Sequence, residues 1–274
     1  MWRERVSPEL TVVSYNIHSA IGVDGRHSLQ RVADVLSRLD PDIVSLQEVQ
    51  RELDTETGFE DQPAQLQSML DLDRAYGPTV SLTPDEIADI EADLGSAERD
   101  LAREFGNLLL TAGSIRSVEY DTLSSPDDGG QRGFITAIVE CDGTEVRVVN
   151  THLGLSPTVR EQQLDELFET LGTVERPTLL TGDFNARPEQ PAIERLTKHF
   201  TDVFSKDGNG CFTFPTPYVD RDQREYYHRT YTPHRRIDYM FCTPEVTVDE
   251  TEVYHSLASD HSPIIAHLTI ADDA

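Results

Sequence analysis

Val146-Arg-Val-Val-Asn150-Thr-His152, followed by a helical pattern opened by Ser156-Pro157 and then by Thr178-Leu-Leu-Thr-Gly182-Asp183, reads as strand, helix, strand. The chain contains this arrangement once before: Thr11-Val-Val-Ser-Tyr-Asn16-Ile-His18, a helical pattern opened by Ser28, then Asp42-Ile-Val-Ser-Leu-Gln-Glu48. Leu29, Val32, Val35, Leu36 and Leu39 line one face of the first helix, and Val159, Leu164, Leu167, Phe168 and Leu171 one face of the second. Each helix begins at an N-cap serine, and the second adds proline at its first position. Asn16 lies 32 residues before Glu48, and Asn150 lies 33 before Asp183. The shared Asn-x-His and the terminal carboxylate imply a pseudo-symmetric site at the C-terminal ends of the strands, where open α/β sheets place their ligands.

Outward from these units, further strand-length apolar runs occur at 107–115, 134–141, 236–242 and 263–270, and Asp142-Gly143 joins two of the runs as a hairpin. Several runs are nearly continuous Val, Ile and Leu, as strands covered on both faces require. A mixed α/β sandwich is expected, as one domain over 1–274 with no linker dividing it. Thr83-Pro84-Asp85-Glu86 is a capping box, and Ile87, Ile90, Leu94, Ala97 and Leu101 follow at helical spacing. Residues 83–103 therefore predict an inserted surface helix with an acidic outer face, a lid over substrate being the alternative.

The 274 residues include 50 Asp and Glu against 23 Lys and Arg, a formal net charge of -27, and Lys198 and Lys206 are the only lysines. A single-sign field of this strength is tolerated best in molar salt, where the screening length falls to about 3 Å, and it points to a halophilic source. The same acidity weakens the case for a nucleic-acid or anionic-membrane partner, although a halophile's whole proteome shares the shift, so the charge speaks to habitat more than to substrate. Cys141, Cys211 and Cys242 are too few and too scattered for a disulfide framework or a zinc cluster and read as free thiols of a reducing cytosol. With no apolar leader and no window of membrane-spanning length, a soluble cytoplasmic protein is expected.

Strand ends bring together Asn16, Glu48, Asn150, His152, Asp183, Asn185, Asp238, Asp260 and His261, which are hard oxygen donors and imidazoles without a thiol among them. That donor set suits magnesium or manganese, and magnesium needs only one or two protein carboxylates when substrate phosphate completes its shell. Gly182-Asp183-Phe184-Asn185 puts a carboxylate and a carboxamide on the same side of a strand end. Asp238 offers His261 a carboxylate, the pairing used to move a proton or to hold a charged imidazole. Arg132, just before the 134–141 run, is a further candidate phosphate contact outside this core assignment.

Ser-Tyr-Asn16-Ile-His, Leu-Gln-Glu48-Val, Gly106-Asn107, Asn150-Thr-His152-Leu, Thr-Gly-Asp183-Phe-Asn185, Arg-Ile-Asp238-Tyr and Ser-Asp260-His261-Ser-Pro, in this order, resemble the endonuclease/exonuclease/phosphatase superfamily over nearly the whole chain. The resemblance implies a four-layer α/β sandwich with two central sheets, a magnesium ion in the cleft between them, and phosphoester hydrolysis by in-line attack of an activated water. By matching position it implies Glu48 as metal ligand, with Asn16 and Asp260 beside it, and Asp183 as the base. Asn185 then steadies the phosphoryl oxygens, His152 and His261 contact the phosphate, and Asp238 orients His261. Two histidines and a magnesium would supply the cations and hydrogen-bond donors that a phosphoryl transition state needs.

Departures bear on the substrate. Relatives that cut abasic DNA follow the metal-binding glutamate with Thr-Lys, whereas this chain has Val49-Gln50, so the similarity runs toward the sphingomyelinase-like and lipid-headgroup branch. A small-molecule or lipid-headgroup phosphodiester is the expected substrate, with a nuclease of the same chemistry as the alternative and a phosphomonoesterase or a silent binding module behind it. Tyr218, Tyr226, Tyr227, His228 and Tyr231, in the polar stretch from Pro215 to Pro233, are candidates to stack a base or grip a headgroup.

Overall fold

Apolar runs that cannot face water on either side pair into two six-stranded sheets. The first holds β1 (Glu9–Asn16), β2 (Ile43–Arg51), β3 (Asp73–Ser81), β4 (Glu104–Thr111), β13 (Val246–Val253) and β14 (Ile264–Ile270), in the order β13-β14-β1-β2-β4-β3. The second holds β5 (Ser114–Leu123), β6 (Arg132–Cys141), β7 (Thr144–His152), β8 (Thr178–Asp183), β9 (Thr201–Asp202) and β12 (Asp238–Cys242), in the order β5-β6-β7-β8-β12-β9. A two-stranded ribbon, β10 (Tyr218–Val219) with β11 (Thr230–Tyr231), stands apart. The helices are α1 (Leu29–Leu39), α2 (Gln62–Leu70), α3 (Pro157–Leu171) and α4 (Pro191–Leu196). This computed structural model describes residues 8–53, 57–58, 60–82, 103–125, 130–174, 176–205, 211–219, 230–231 and 233–271. The surface helix expected over 83–103 falls outside them but for Arg103, as do Tyr226, Tyr227 and His228. Among the described residues no helix is long and apolar enough to cross a membrane.

The repeat in the sequence is a repeat in topology. β1 runs parallel to β2 and β7 parallel to β8, while β14 and β6 flank the first strand of each pair and β4 and β12 the second, all antiparallel. Register corrects the sequence alignment by two residues. The last pair of β1 and β2 is Asn16 with Gln47, and the last pair of β7 and β8 is His152 with Asp183. Asn16 is therefore the positional counterpart of His152, not of Asn150, and Glu48 lies one residue beyond its sheet's last parallel pair.

Alternation along the strands sorts side chains into three apolar layers. Val12, Ile43, Leu109, Ile135, Val148, Leu179 and Met240 fill the space between the sheets. Val13, Tyr15 and Leu46 face Val32, Leu36 and Leu66 of α1 and α2, whereas Val149, Leu180 and Phe241 face Leu164, Leu167 and Ile193 of α3 and α4. The result is the four-layer α/β sandwich, each fully buried aliphatic side chain contributing about 1.5–3 kcal/mol. Cys141, Cys211 and Cys242 are buried, and none of them is in a disulfide.

Local readings fail where they depend on a single cue. The run at 107–115 is not one strand: β4 ends at Thr111, the chain turns at Ala112-Gly113, and β5 begins in the other sheet. β5 escapes prediction because it is an edge strand with nine of its ten residues exposed or half-buried, so it needs no apolar run. Ser28 and Ser156 occupy the N-cap positions as read, yet neither hydroxyl caps its helix; Asp61 does so for α2, accepting from the Ala64 N–H at 2.9 Å.

Candidate active site

The C-terminal ends of β1, β2, β7 and β8 deliver Asn16, Glu48, His152 and Asp183 to one edge of the sandwich. Asp238 arrives by pairing: it opens β12 directly opposite Asp183. A bulge between Leu46 and Val49 interrupts the pairing of β2 with β4 and puts Glu48 in the left-handed region at φ 58°, which aims its side chain into the cleft. Gly182 has φ 146° because a Cβ there would lie 1.9 Å from the Thr151 carbonyl oxygen, so only glycine lets β8 run this close to β7 and still present Asp183. Ser259 ties the loop before β14 to β1, its hydroxyl donating to Asn16 O at 2.8 Å and accepting from the His261 N–H at 3.1 Å.

Asn16 is the hub. Its carboxamide nitrogen donates to Glu48 Oε1 at 3.3 Å and to Asp183 Oδ2 at 3.0 Å, while its oxygen accepts from the His18 N–H at 3.0 Å. Asp183 also accepts from the Asn185 N–H at 2.9 Å, with His152 Nε2 at 3.4 Å and His261 Nε2 at 3.7 Å from its other oxygen. His261 Nδ1 lies 2.9 Å from Asp238 Oδ2, and Asn185 Nδ2 lies 3.0 Å from His152 Nε2. Seven of the eight residues to which the resemblance gives roles thus form one connected cluster. Asp260 is at its margin, with Oδ1 3.6 Å from His18 Nδ1 and 3.4 Å from the Ser259 hydroxyl.

Burial then separates groups that look alike in sequence. Asp183 is 1% exposed, and desolvation, reinforced by the charge of Asp238, lifts its pKa to about 7. Burial alone would discharge His261, but the charge and hydrogen bond of Asp238, aided by Asp183, raise its pKa to about 10. His152 goes the other way: burial, then the charges of Arg132 and His261, push it well below the usual imidazole range. Of the two histidines, His261 is therefore the one held in the charged form. A neutral His152 protonated at Nδ1, which faces Glu48 at 3.9 Å, accepts the Asn185 amide at Nε2.

The donor set bears on a metal ion. Glu48 has a half-buried carboxylate whose described contacts are the Asn16 amide and His152, which leaves oxygen lone pairs directed into the cleft. Asp183, Asp238 and His261 also place ligand-type atoms within 4.8 Å of one another. The carboxylate of Glu48 offers oxygen donors alone, the type that a hard divalent cation prefers, whereas the triad includes an imidazole. Asn16 as oriented turns nitrogen, not oxygen, toward both carboxylates.

Other residues were invisible or misplaced in the sequence. Asn150 sits one layer below the site, crossing between the sheets to Leu46 O at 2.8 Å and Leu108 O at 3.1 Å and accepting from Gln47 at 2.7 Å. Thr181 donates to Ser45 across the same gap at 2.8 Å. Arg132 lies near enough to His152 for its charge to depress that ring, and its Nε is buried without a hydrogen-bond partner. Phe214 packs its ring 4.8 Å from that of His261, and no pattern in its polar surroundings signalled this.

The sequence profile described as the Endonuclease/Exonuclease/phosphatase family matches residues 13–261. An endonuclease/exonuclease/phosphatase from Beutenbergia cavernae is similar at 26% identity and a TM-score of 0.73, over 96% of this chain and 72% of that one. The Bacteroides thetaiotaomicron mannosyl-6-phosphatase has 22% identity and a TM-score of 0.68 over 95% and 100% of the two chains. The human nocturnin catalytic domain, solved with a bound sulfate anion, has 18% identity and a TM-score of 0.67 over 97% and 96%. No curated protein matches the sequence.

Proposed function

Because the chain belongs to the endonuclease/exonuclease/phosphatase family, hydrolases acting on phosphoester bonds, we propose that it is a magnesium-dependent phosphodiester hydrolase in which Asp183 activates the attacking water. The observation that carries this reading is the meeting of Glu48 and Asp183 on the single carboxamide of Asn16, which sets a cation-binding carboxylate beside a base.

Each residue's part follows from its state. Asp183, with a pKa of about 7, is a base matched to neutral pH. His261, kept protonated by Asp238, presents a positive charge to the phosphoryl oxygens, whose negative charge grows in the transition state. His152 contacts the phosphate through its Nδ1–H, the one donor of the neutral ring, while Asn185 holds Nε2 and lies beside the phosphoryl group. Glu48 is the principal ligand of the metal, with Asn16 orienting it and Asp260 at the side. A divalent cation bound there supplies Lewis-acid polarisation of the phosphoryl oxygens. Val49-Gln50 favours a small-molecule or headgroup diester over nucleic acid, and the acidity marks a cytoplasmic protein of a halophile.

The test is hydrolysis of bis(p-nitrophenyl) phosphate against p-nitrophenyl phosphate in high salt. Activity on the diester that vanishes with chelator and returns with magnesium or manganese is expected. Full activity in chelator overturns the metal assignment, and a preference for the monoester overturns the diester assignment.

A further inference from the structure

Arg235 and Arg236 are adjacent in sequence and opposite in circumstance. Arg236 is 8% exposed, its guanidinium pairs with Asp202, and it lies over the Tyr239 ring at 4.5 Å. It is a structural cation with its charge answered. Arg235 is exposed, and among the described residues it has no carboxylate partner. Its guanidinium instead sits over the ring of Phe214, 5.8 Å from the centroid.

That placement follows from the backbone. Phe214 and Arg235 form an isolated antiparallel bridge, with the Phe214 N–H donating to Arg235 O and the Arg235 N–H to Phe214 O, each at 3.0 Å. Cross-strand neighbours share a face, so the arginine is laid on the phenylalanine. The same phenylalanine contacts the His261 imidazole, centroid to centroid 4.8 Å. Two positive groups, one buried and one exposed, therefore lie against the same aromatic ring. On a chain of net charge -27, an exposed cation beside the site with no acidic partner among the described residues has its charge available to a ligand. The guanidinium fork matches a phosphate in two parallel hydrogen bonds, and the cation–π contact fixes its orientation beforehand.

We propose that Arg235 is a specificity residue that binds a second phosphate of the substrate, beside the Phe214 ring that also contacts His261 at the scissile phosphate. This deepens the phosphodiesterase reading and rests on it: the substrate class is a phosphodiester that carries another phosphate across a short spacer.

Binding at constant ionic strength tests the assignment without turnover. Calorimetry would compare inorganic phosphate with propane-1,3-diol bisphosphate in the wild type, Arg235→Gln and Arg235→Lys. The wild type should prefer the bisphosphate, Arg235→Gln should cut that preference by roughly three- to twentyfold, the scale of one partly solvated charge-assisted pair, and Arg235→Lys should restore part of it. Equal preference in the wild type and Arg235→Gln, or parallel loss of both ligands, overturns the proposal. A wild type that binds both ligands yet hydrolyses no diester would sink the phosphodiesterase reading alone, since the preference ratio remains measurable.

Discussion

Asp238 lies directly opposite Asp183 in the antiparallel pairing of β12 with β8, and one imidazole, His261, serves both: Nδ1 is 2.9 Å from Asp238 and Nε2 is 3.7 Å from Asp183. The charge of Asp238 hinders ionisation of the buried Asp183 and favours the charged form of the imidazole between them. The same closeness tunes the base and charges the imidazole.

Asp183→Asn should lower the hydrolytic rate by roughly 10² to 10⁴, the usual contribution of a general base. It should also raise the melting temperature at pH 8. The folded-state pKa of about 7 lies above the unfolded value, so Asp183 costs stability as pH rises between the two, and at pH 8 the whole cost applies. Wild-type turnover, or a fall in melting temperature at pH 8, would contradict both parts.

The rate should trace a bell against pH, with an acid limb near 7 from Asp183 and an alkaline limb near 10 from His261. Asp238 pushes both pKa values upward, so Asp238→Asn should move both limbs to lower pH. The double variant with His261→Ala should lose far less than the product of the single losses. Limbs that stay in place, or multiplicative losses, would mean that the two residues act independently.

Glu48→Gln should raise the magnesium concentration needed for half-maximal rate by an order of magnitude or more, because a neutral carboxamide replaces the main anionic ligand. Cys141→Ser, at the opposite end of β6 from the cleft, should change that requirement little. Equal shifts in the two variants would make Glu48 a folding residue.

Gly182→Ala should fail to accumulate as folded protein or should melt many degrees lower, since the added Cβ meets the Thr151 carbonyl at 1.9 Å and backbone cannot rotate away. An unchanged melting temperature would show that β7 and β8 are not packed as described.

Melting temperature and rate should climb together from low to molar potassium chloride. With 50 acidic residues on one chain, self-repulsion reaches about 30 Å at 0.01 M salt and about 3 Å at 1 M. A flat or falling melting temperature would remove the halophilic reading and restore the acidity as evidence against a polyanionic substrate.

The strand-helix-strand units and seven of the clustered site residues are legible in the chain because a strand covered on both faces must be apolar throughout, so a polar residue at its end stands out. Asn16, His152 and Asp183 are visible for that reason alone. Other features depend on through-space terms that periodicity does not carry. Register set Asn16 opposite Gln47 and moved Asn150 below the site. The bulge at Glu48, the edge position of β5 and the stack of Arg235 on Phe214 are likewise pairings between segments distant in sequence. Above all, His152 and His261 are the same residue type in similar motifs, yet one is neutral and the other charged. Burial penalises charge in both, and of the two only His261 is hydrogen-bonded to a carboxylate, Asp238, that repays it. The chemistry of the strand ends was written in the sequence; the protonation of each group was decided by which neighbours the two sheets brought into contact.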